Sequence, residues 1–196
     1  MLEIVQSETF QRWFARLKDH QARALIDARI KRVSLGNAGD IRPVRGVVSE
    51  LRIDNGAGDR IYMTRRGNAV VVLLAGGIKR TQDADIKLAL AIADHWRVES
   101  MAEKFVPWDV ADHLVSDIDV AAYLDVCIMG DPGDGSLVRA ALGDIARARG
   151  MSQLARDTGI SREGLYKALS SNGNPEFATI WKVIRALGIR LHARPA

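Results

Sequence analysis

Three stretches with the composition of β-strands, separated by short turn-forming segments, constrain the fold of this chain more than any other feature. They span residues 47–54, 60–65 and 69–75. The first gap reads Asn55-Gly56-Ala57-Gly58 and the second reads Arg66-Gly67-Asn68, and both are typical of hairpin turns. Connections this short join antiparallel neighbours, so the sequence predicts an antiparallel meander. The third stretch is apolar throughout, as in a strand buried on both faces.

Helical periodicity flanks this meander within residues 1–100. Apolar residues recur at helical spacing on both sides of it, with Ser7 as the expected first N-cap and Gly36 as the expected C′ residue of the second helix. The predicted elements are a strand near Leu2 and Ile4, helices from Glu8, over 21–35 and over 83–96, and a loop over 37–43. The order β-α-α-β-β-β-α predicts an α+β domain with helices on one face of an antiparallel sheet.

Charge is distributed unevenly along the chain. Residues 101–136 hold seven Asp and one Glu against one Lys, a net −7, whereas residues 1–100 carry +5 and residues 137–196 carry +6. Opposite charges steer association and fix orientation. We therefore expect the acidic segment to cover a basic surface of the first domain and the last region to bind a polyanion. A solvated acidic linker is the alternative.

The second half is predicted to be all-α, with a helix-turn-helix motif inside residues 137–196. Ser152 is expected to cap a helix over 153–158, Gly159 to make the turn, and Ser161 to cap a helix over 162–169. Such a motif places its second helix in the major groove of DNA, although any two-helix hairpin gives a similar pattern. The predicted DNA-contacting residues are Ser152, Gln153, Ser161, Arg162, Glu163, Tyr166 and Lys167.

Cationic residues are expected to converge on the predicted meander. Arg52 and Arg60 stand on neighbouring strands, and Lys79 and Arg80 follow the third. Together with Tyr62, and without a carboxylate pair, they suit a phosphate-rich ligand and can stabilise the charge of a phosphoryl-transfer transition state. The alternative is that the strand arginines are solvated surface residues.

The first half resembles the RelE/ParE toxin superfamily and, more narrowly, its HigB-like addiction module killers. The matching stretches are Ala28-Arg29-Ile30, Gly36-Asn37-Ala38-Gly39-Asp40, Val48-Ser49-Glu50-Leu51-Arg52-Ile53, Arg60-Ile61-Tyr62, Val71-Val72-Leu73-Leu74-Ala75, Gly76-Gly77-Ile78-Lys79-Arg80-Thr81-Gln82 and Asp85-Ile86. The resemblance implies a ribosome-dependent mRNA endoribonuclease without cofactor or metal. It implies Arg60 and Arg80 as the main catalytic candidates, followed by Arg52 and Lys79, with Tyr62 beside them.

Two residues depart from the pattern of that superfamily. Asp59 stands where an aromatic residue is usual, and Ile78 stands where a polar or acidic residue is usual. We expect Asp59 to pair with Arg60 and to weaken its attraction for phosphate. Two alternatives therefore stay open: a DNA-binding regulator with a catalytically inactive toxin-like domain, and a toxin that poisons gyrase, as some members of the superfamily do.

The second half is similar to HigA-like antidote proteins of addiction modules. The matching stretches are Asp109-Val110-Ala111, Ala121-Ala122-Tyr123-Leu124, Ala141 to Gln153, Ser161 to Leu169, and Gly173 to Thr179. The resemblance implies a dimeric helix-turn-helix repressor that neutralises its toxin and binds operator DNA. The sequence Met101-Ala102-Glu103-Lys104 resembles the start of a second open reading frame, and it lies near the start of this similarity.

The sequence thus predicts a toxin joined to its own antitoxin. The expected divisions are a toxin domain at 1–100, an acidic helical toxin-contacting segment at 101–136 and a helix-turn-helix DNA-binding domain at 137–196. Neutralisation within one chain and exchange between the two chains of a homodimer both remain open. A cytoplasmic protein is expected, because the one cysteine, Cys127, excludes a disulfide framework and the longest apolar run is far below the ~18 residues that a membrane span needs.

Overall fold

The computed structural model describes residues 2–37, 39–53, 58–67, 70–98 and 104–192. The chain forms two compact units, Met1–Trp108 and Asp109–Ala196. The division thus falls after Trp108, later than the predicted boundary at residue 100. Residues 55–57 of the first predicted turn, Asn68 of the second, and the proposed second start at Met101 lie outside the described residues.

Unit 1 combines a sheet with three helices over its described residues. Its elements are β1 (Glu3–Ser7), α1 (Glu8–Ala15), α2 (His20–Ser34), β2 (Ile41–Arg45), β3 (Val48–Ile53), β4 (Asp59–Arg66), β5 (Val70–Ile78), a 3₁₀ turn (Lys79–Thr81), α3 (Gln82–Val98) and β6 (Phe105–Pro107). The Ser7 side chain caps α1 by accepting from the Phe10 N–H at 2.9 Å, and Gly36 follows α2 with φ of 89°. Both local predictions are confirmed, since each depends only on neighbouring residues.

The sheet is mixed, and its strand order is β2-β3-β4-β5-β1-β6. β3, β4 and β5 form the predicted antiparallel meander. The prediction of a wholly antiparallel sheet is wrong, however, because β1 lies parallel to β5. The long connection through two helices and three strands permits this parallel pairing. The predicted loop over 37–43 is also wrong in part, because Pro43 lies in β2, an edge strand where proline is tolerated.

Helices cover both faces of the sheet, which corrects the expectation of helices on one face. A Cβ atom at Gly76 would overlap the ring of Trp13 in α1, whereas a Cβ atom at Gly77 would overlap the carboxylate of Asp85 in α3. Neighbouring residues of a strand point to opposite faces, so α1 and α3 lie on opposite sides of β5. The glycine pair permits both close approaches, and the apolar sequence of β5 is explained by its burial on both faces.

Unit 2 is all-α over its described residues. The prediction that the whole of the second half is helical is wrong, however, because Phe105–Pro107 form β6 and pair with β1 in unit 1. The elements of unit 2 are a 3₁₀ turn (Val110–His113), α4 (Asp117–Met129), α5 (Ser136–Arg149), α6 (Met151–Thr158), α7 (Arg162–Ala168) and α8 (Phe177–Ala186). Its core includes Leu142, Ile145, Leu165 and Val183, all fully buried. The Tyr123 hydroxyl, also buried, donates to Asp144 Oδ2 at 2.8 Å and joins α4 to α5.

The two predicted caps of the helical hairpin have different outcomes. Ser161 caps α7, because its Oγ accepts from the Gly164 N–H at 3.0 Å. The prediction that Ser152 caps the preceding helix is wrong, since α6 begins one residue earlier, at Met151, with Gly150 in the cap position. Met151 is buried, so apolar packing extends the helix beyond the residue whose side chain suits a cap.

Candidate functional site

A buried carboxylate organises the cationic cluster on the sheet. Glu50 of β3 is completely buried, and it accepts from Arg52 Nε at 2.8 Å and from Arg60 Nη1. Gln82 Nε2, at the start of α3, donates to the same carboxylate at 3.0 Å. Arg52 and Arg60 face each other in the β3–β4 register, as predicted. The two guanidinium groups are therefore held in place by one negative charge that the sequence reasoning did not include.

Tyr62 lies on the same face of β4 but is inaccessible to solvent. Its side chain is completely buried, and burial, together with the charge of Glu50, raises the pKa of Tyr62 to about 12. Its hydroxyl has no hydrogen-bond partner among the described residues. The phenol therefore stays protonated at neutral pH and is unsuited to act as a general base in this conformation.

Lys79 and Arg80 stand at the end of the sheet that carries this cluster. Both are exposed on the 3₁₀ turn that follows β5, and the Lys79 N–H donates to the Gly58 carbonyl at 3.2 Å beside β4. Gly77, two residues before the turn, pairs with Arg60. The backbone of these two solvent-accessible cations therefore lies at the same end of the sheet as Arg60 and Arg52, which Glu50 holds.

Asp59 does not play its predicted role. Arg60 pairs with Glu50 instead, because adjacent residues of a strand point to opposite faces and Asp59 faces away from the cluster. Asp59 is buried, and burial, with a contribution from the charge of Asp19, raises the pKa of this carboxyl. The expected Asp59–Arg60 pair is therefore wrong, but Glu50 supplies a neutralising charge of the same kind.

Strand alternation could have identified Glu50 from the sequence. Within β3, period-two alternation places Val48, Glu50 and Arg52 on one face, and the register adds Arg60 and Tyr62. A carboxylate between two arginines on a half-buried face predicts an ion-pair network. The contact with Gln82 has no such signal, because it depends on where α3 crosses the sheet.

A second group of predicted site residues lies on α6 and α7 of unit 2. All seven are exposed: Ser152, Gln153, Ser161, Arg162, Glu163, Tyr166 and Lys167. The Arg162 guanidinium lies 5.6 Å from the centre of the Tyr166 ring. Arg139 of α5 donates to the carbonyls of Ser170 and Ser171, each at 3.0 Å, and so anchors the chain just beyond α7. The result is a short helix with one polar, partly cationic face directed to solvent.

Two properties of the described residues bear on other classes of function. Among these residues, no cluster of three or more His, Cys, Asp or Glu side chains is arranged to hold a metal ion. Within the same part of the chain, every helix is too short or too polar to cross a bilayer.

The comparison with family profiles concerns the second half of the chain. A family profile described as "Probable addiction module antidote protein" matches residues 104–195. A protein from Haemophilus influenzae, named only as an uncharacterized protein, is 52% identical over 94 residues, which cover 48% of this chain and 95% of the relative. A second protein from the same organism, with the same name, is 47% identical over 92 residues, covering 47% and 93%. Each relative is therefore about as long as half of this chain.

Proposed function

Because this chain belongs, through residues 104–195, to the family of probable addiction module antidote proteins, we propose that it is a type II toxin–antitoxin module in a single polypeptide. Residues 1–100 are the toxin, residues 101–136 contact and neutralise it, and residues 137–196 bind operator DNA and repress the module's own gene. The family match supports the antidote half and thereby implies a toxin partner. The toxin assignment rests on the cation cluster and on the resemblance of the first half.

The proposed toxin activity is cleavage of mRNA on the ribosome. Lys79 and Arg80, both exposed, contact the phosphates of the RNA. Arg60, held by Glu50, lies next to them and stabilises the charge that develops on the phosphorane. In this reaction the ribose 2′-oxygen attacks the adjacent phosphorus, the bond to the 5′-oxygen breaks, and a 2′,3′-cyclic phosphate and a 5′-hydroxyl form.

In such a reaction the side chains of the protein need not form a covalent bond with the RNA. Positioning of the 2′-hydroxyl, charge stabilisation and proton transfer account for catalysis. Because Tyr62 is buried, a rearrangement of the α3 face must precede any contact between its hydroxyl and RNA. We therefore assign Tyr62 the smallest role among the five candidate side chains.

Growth after induction tests the toxin proposal. Expression of residues 1–103 is expected to arrest growth, whereas expression of the full chain is not expected to do so, because only the full chain carries the antidote. In the fragment, Lys79→Ala with Arg80→Ala is expected to relieve the arrest, whereas the matched exposed pair Arg12→Ala with Arg16→Ala is not. Circular dichroism checks that each fragment is folded. A folded fragment that leaves growth unchanged refutes the toxin proposal.

Mapping nucleic-acid damage separates the two kinds of toxin. After arrest by the fragment, new mRNA ends with 5′-hydroxyl groups are expected. Broken chromosomal DNA with intact mRNA would instead indicate a gyrase poison.

The rival function is a DNA-binding regulator whose first unit is catalytically inactive. The observation that favours this rival is the ion-pair network, because Glu50 offsets the positive charges of Arg60 and Arg52. In addition, burial makes the Tyr62 hydroxyl inaccessible to a substrate. The growth experiment decides between the two functions, since the regulator arrests growth in neither form.

DNA binding by unit 2 is proposed for the exposed face of α6 and α7. A homodimer would present two such faces to two half-sites. Arg162→Ala and Lys167→Ala are each expected to weaken binding to DNA from upstream of the gene and to reduce the slope of log affinity against log salt by about 1 if the side chain meets a phosphate. Lys182→Ala, an exposed control on α8, is expected to leave the slope unchanged. If Arg162→Ala and Lys167→Ala bind this DNA as tightly as Lys182→Ala does, the assigned face is refuted.

A further inference from the structure

The last strand of unit 1 comes from the part of the chain that matches the antidote family. The match begins at residue 104, and β6 spans Phe105–Pro107. β6 is the edge strand of the sheet, next to β1. Residues that belong to the antidote family by sequence are therefore part of the sheet of the proposed toxin unit.

The backbone pairing between β1 and β6 is regular over the whole segment. Val5, Gln6 and Ser7 face Pro107, Val106 and Phe105 in antiparallel register. At the two ends, the Glu8 N–H donates to the Lys104 carbonyl and the Trp108 N–H donates to the Ile4 carbonyl, both at 2.9 Å.

The hydrogen-bonding alternation explains where proline is tolerated in β6. Bonds at Ile4 and Glu8 identify Gln6–Val106 as the hydrogen-bonded pair between them, because such pairs recur every second residue. Pro107 therefore stands at a position whose N–H would not enter the ladder. Val106, in contrast, must donate to Gln6.

Two aromatic side chains fasten the segment to opposite faces of the sheet. Phe105 packs edge-on against Trp96 of α3, with ring centres 4.5 Å apart. Trp108 packs edge-on against Phe10 at 5.5 Å and Phe14 at 5.0 Å, both in α1. The antidote segment thus combines strand addition with one aromatic anchor on each side of the sheet edge.

We propose that residues 104–108 are a transferable docking element, and that the β1 edge of unit 1 accepts the same segment from a separate antidote chain. The relatives support this inference, because half of this chain covers 95% of one relative and 93% of the other. A chain of that length that comprised only the region matching the antidote family would lack β1, so its counterpart of β6 could pair with β1 only in another chain. The labels toxin and antidote rest on the proposed function, whereas the docking element itself does not.

Peptide competition on the full-length protein tests this proposal. A protease site placed within residues 99–103 is cut, and the C-terminal piece is followed while the N-terminal piece is held on a surface. A synthetic peptide of residues 102–110 is expected to displace the C-terminal piece. The Val106→Ala peptide is expected to compete within about threefold of the original, because Val106 is partly exposed.

Two altered peptides are expected to fail. Val106→Pro removes the N–H that bonds Gln6 and should weaken competition by about 10-fold or more. Trp108→Ala removes a buried aromatic anchor and should weaken it by about 30-fold or more. Because only the peptides change, no result can be attributed to misfolding of the protein.

The possible outcomes separate this proposal from the proposed function. If the original peptide fails to displace the C-terminal piece, or if the Val106→Pro and Val106→Ala peptides compete equally, the docking element is refuted. If the peptides behave as expected while residues 1–103 do not arrest growth, the docking element stands and the toxin activity falls.

Discussion

Replacing Glu50 by glutamine tests whether one buried carboxylate holds the cluster together. The substitution keeps the size of the side chain and its acceptor oxygen but removes its charge. Glu50 is completely buried, and 10% of the Arg60 side chain and 35% of the Arg52 side chain are exposed. The substitution therefore leaves two guanidinium groups facing a neutral amide, and the one at Arg60 has little access to water.

The expected loss of stability is large for a single isosteric change. Removing one partner of a buried ion pair costs about 3–5 kcal/mol, and the partial exposure of Arg52 places this case near the lower limit. A loss of about 3 kcal/mol lowers the melting temperature of a domain of this size by about 12–24 °C. Unit 2 contains none of these residues, so only the melting temperature of unit 1 should fall.

Calorimetry of the full chain, with Glu8→Gln as the control, measures this effect. Glu8 is half exposed and lies 3.9 Å from Arg12, so its neutralisation should cost less than about 1 kcal/mol. Combining Glu50→Gln with Arg60→Met should recover much of the loss, since both members of the closest pair are then absent. A loss below about 1 kcal/mol for Glu50→Gln alone would show that the carboxylate does not organise the cluster.

Two further predictions concern buried carboxyl groups. Asp59→Asn should raise the melting temperature at pH 7, because the raised pKa of Asp59 means that its charged form is disfavoured in the folded protein. The free-energy penalty for this charge is absent below the ordinary pKa of 3.8 and complete above the raised pKa, so the gain in melting temperature should disappear toward pH 3. An equal gain at pH 7 and at pH 3 would contradict the burial argument. Tyr123→Phe removes the 2.8 Å hydrogen bond to Asp144 and should destabilise unit 2 by about 1.5–3 kcal/mol in denaturant unfolding, and an unchanged midpoint would show that Asp144 is satisfied without it.

Local sequence patterns predicted the features that depend on neighbouring residues. Ser7 and Ser161 cap helices because a hydroxyl one position before a helix meets its free N–H groups. The positions of β3, β4 and β5 follow from composition and short gaps, since such gaps leave antiparallel pairing as the only geometry. The exposed face of α7 follows from helical periodicity around Leu165.

Local sequence patterns did not predict contacts between residues that are far apart in the sequence. The pairing of Arg60 with Glu50 rather than Asp59 depends on strand register and on which face of the sheet each side chain occupies. The contact of Gln82 with Glu50 depends on the path of α3 across the sheet. The roles proposed for Lys79, Arg80 and the α7 residues stay predictions, because the structure establishes their exposure and not their ligands.

The sequence by itself determined that this chain joins a strand-rich first half to an all-α second half, and it located the antidote-like region, because composition, periodicity and motif order are properties of contiguous residues. Only the tertiary structure decided that β1 runs parallel to β5 and that residues 105–107 complete the sheet of unit 1. A strand of three residues carries almost no local signal, and its stability comes from backbone bonds to β1 and from Trp96, Phe10 and Phe14. These partners are brought to Phe105 and Trp108 only when the chain folds.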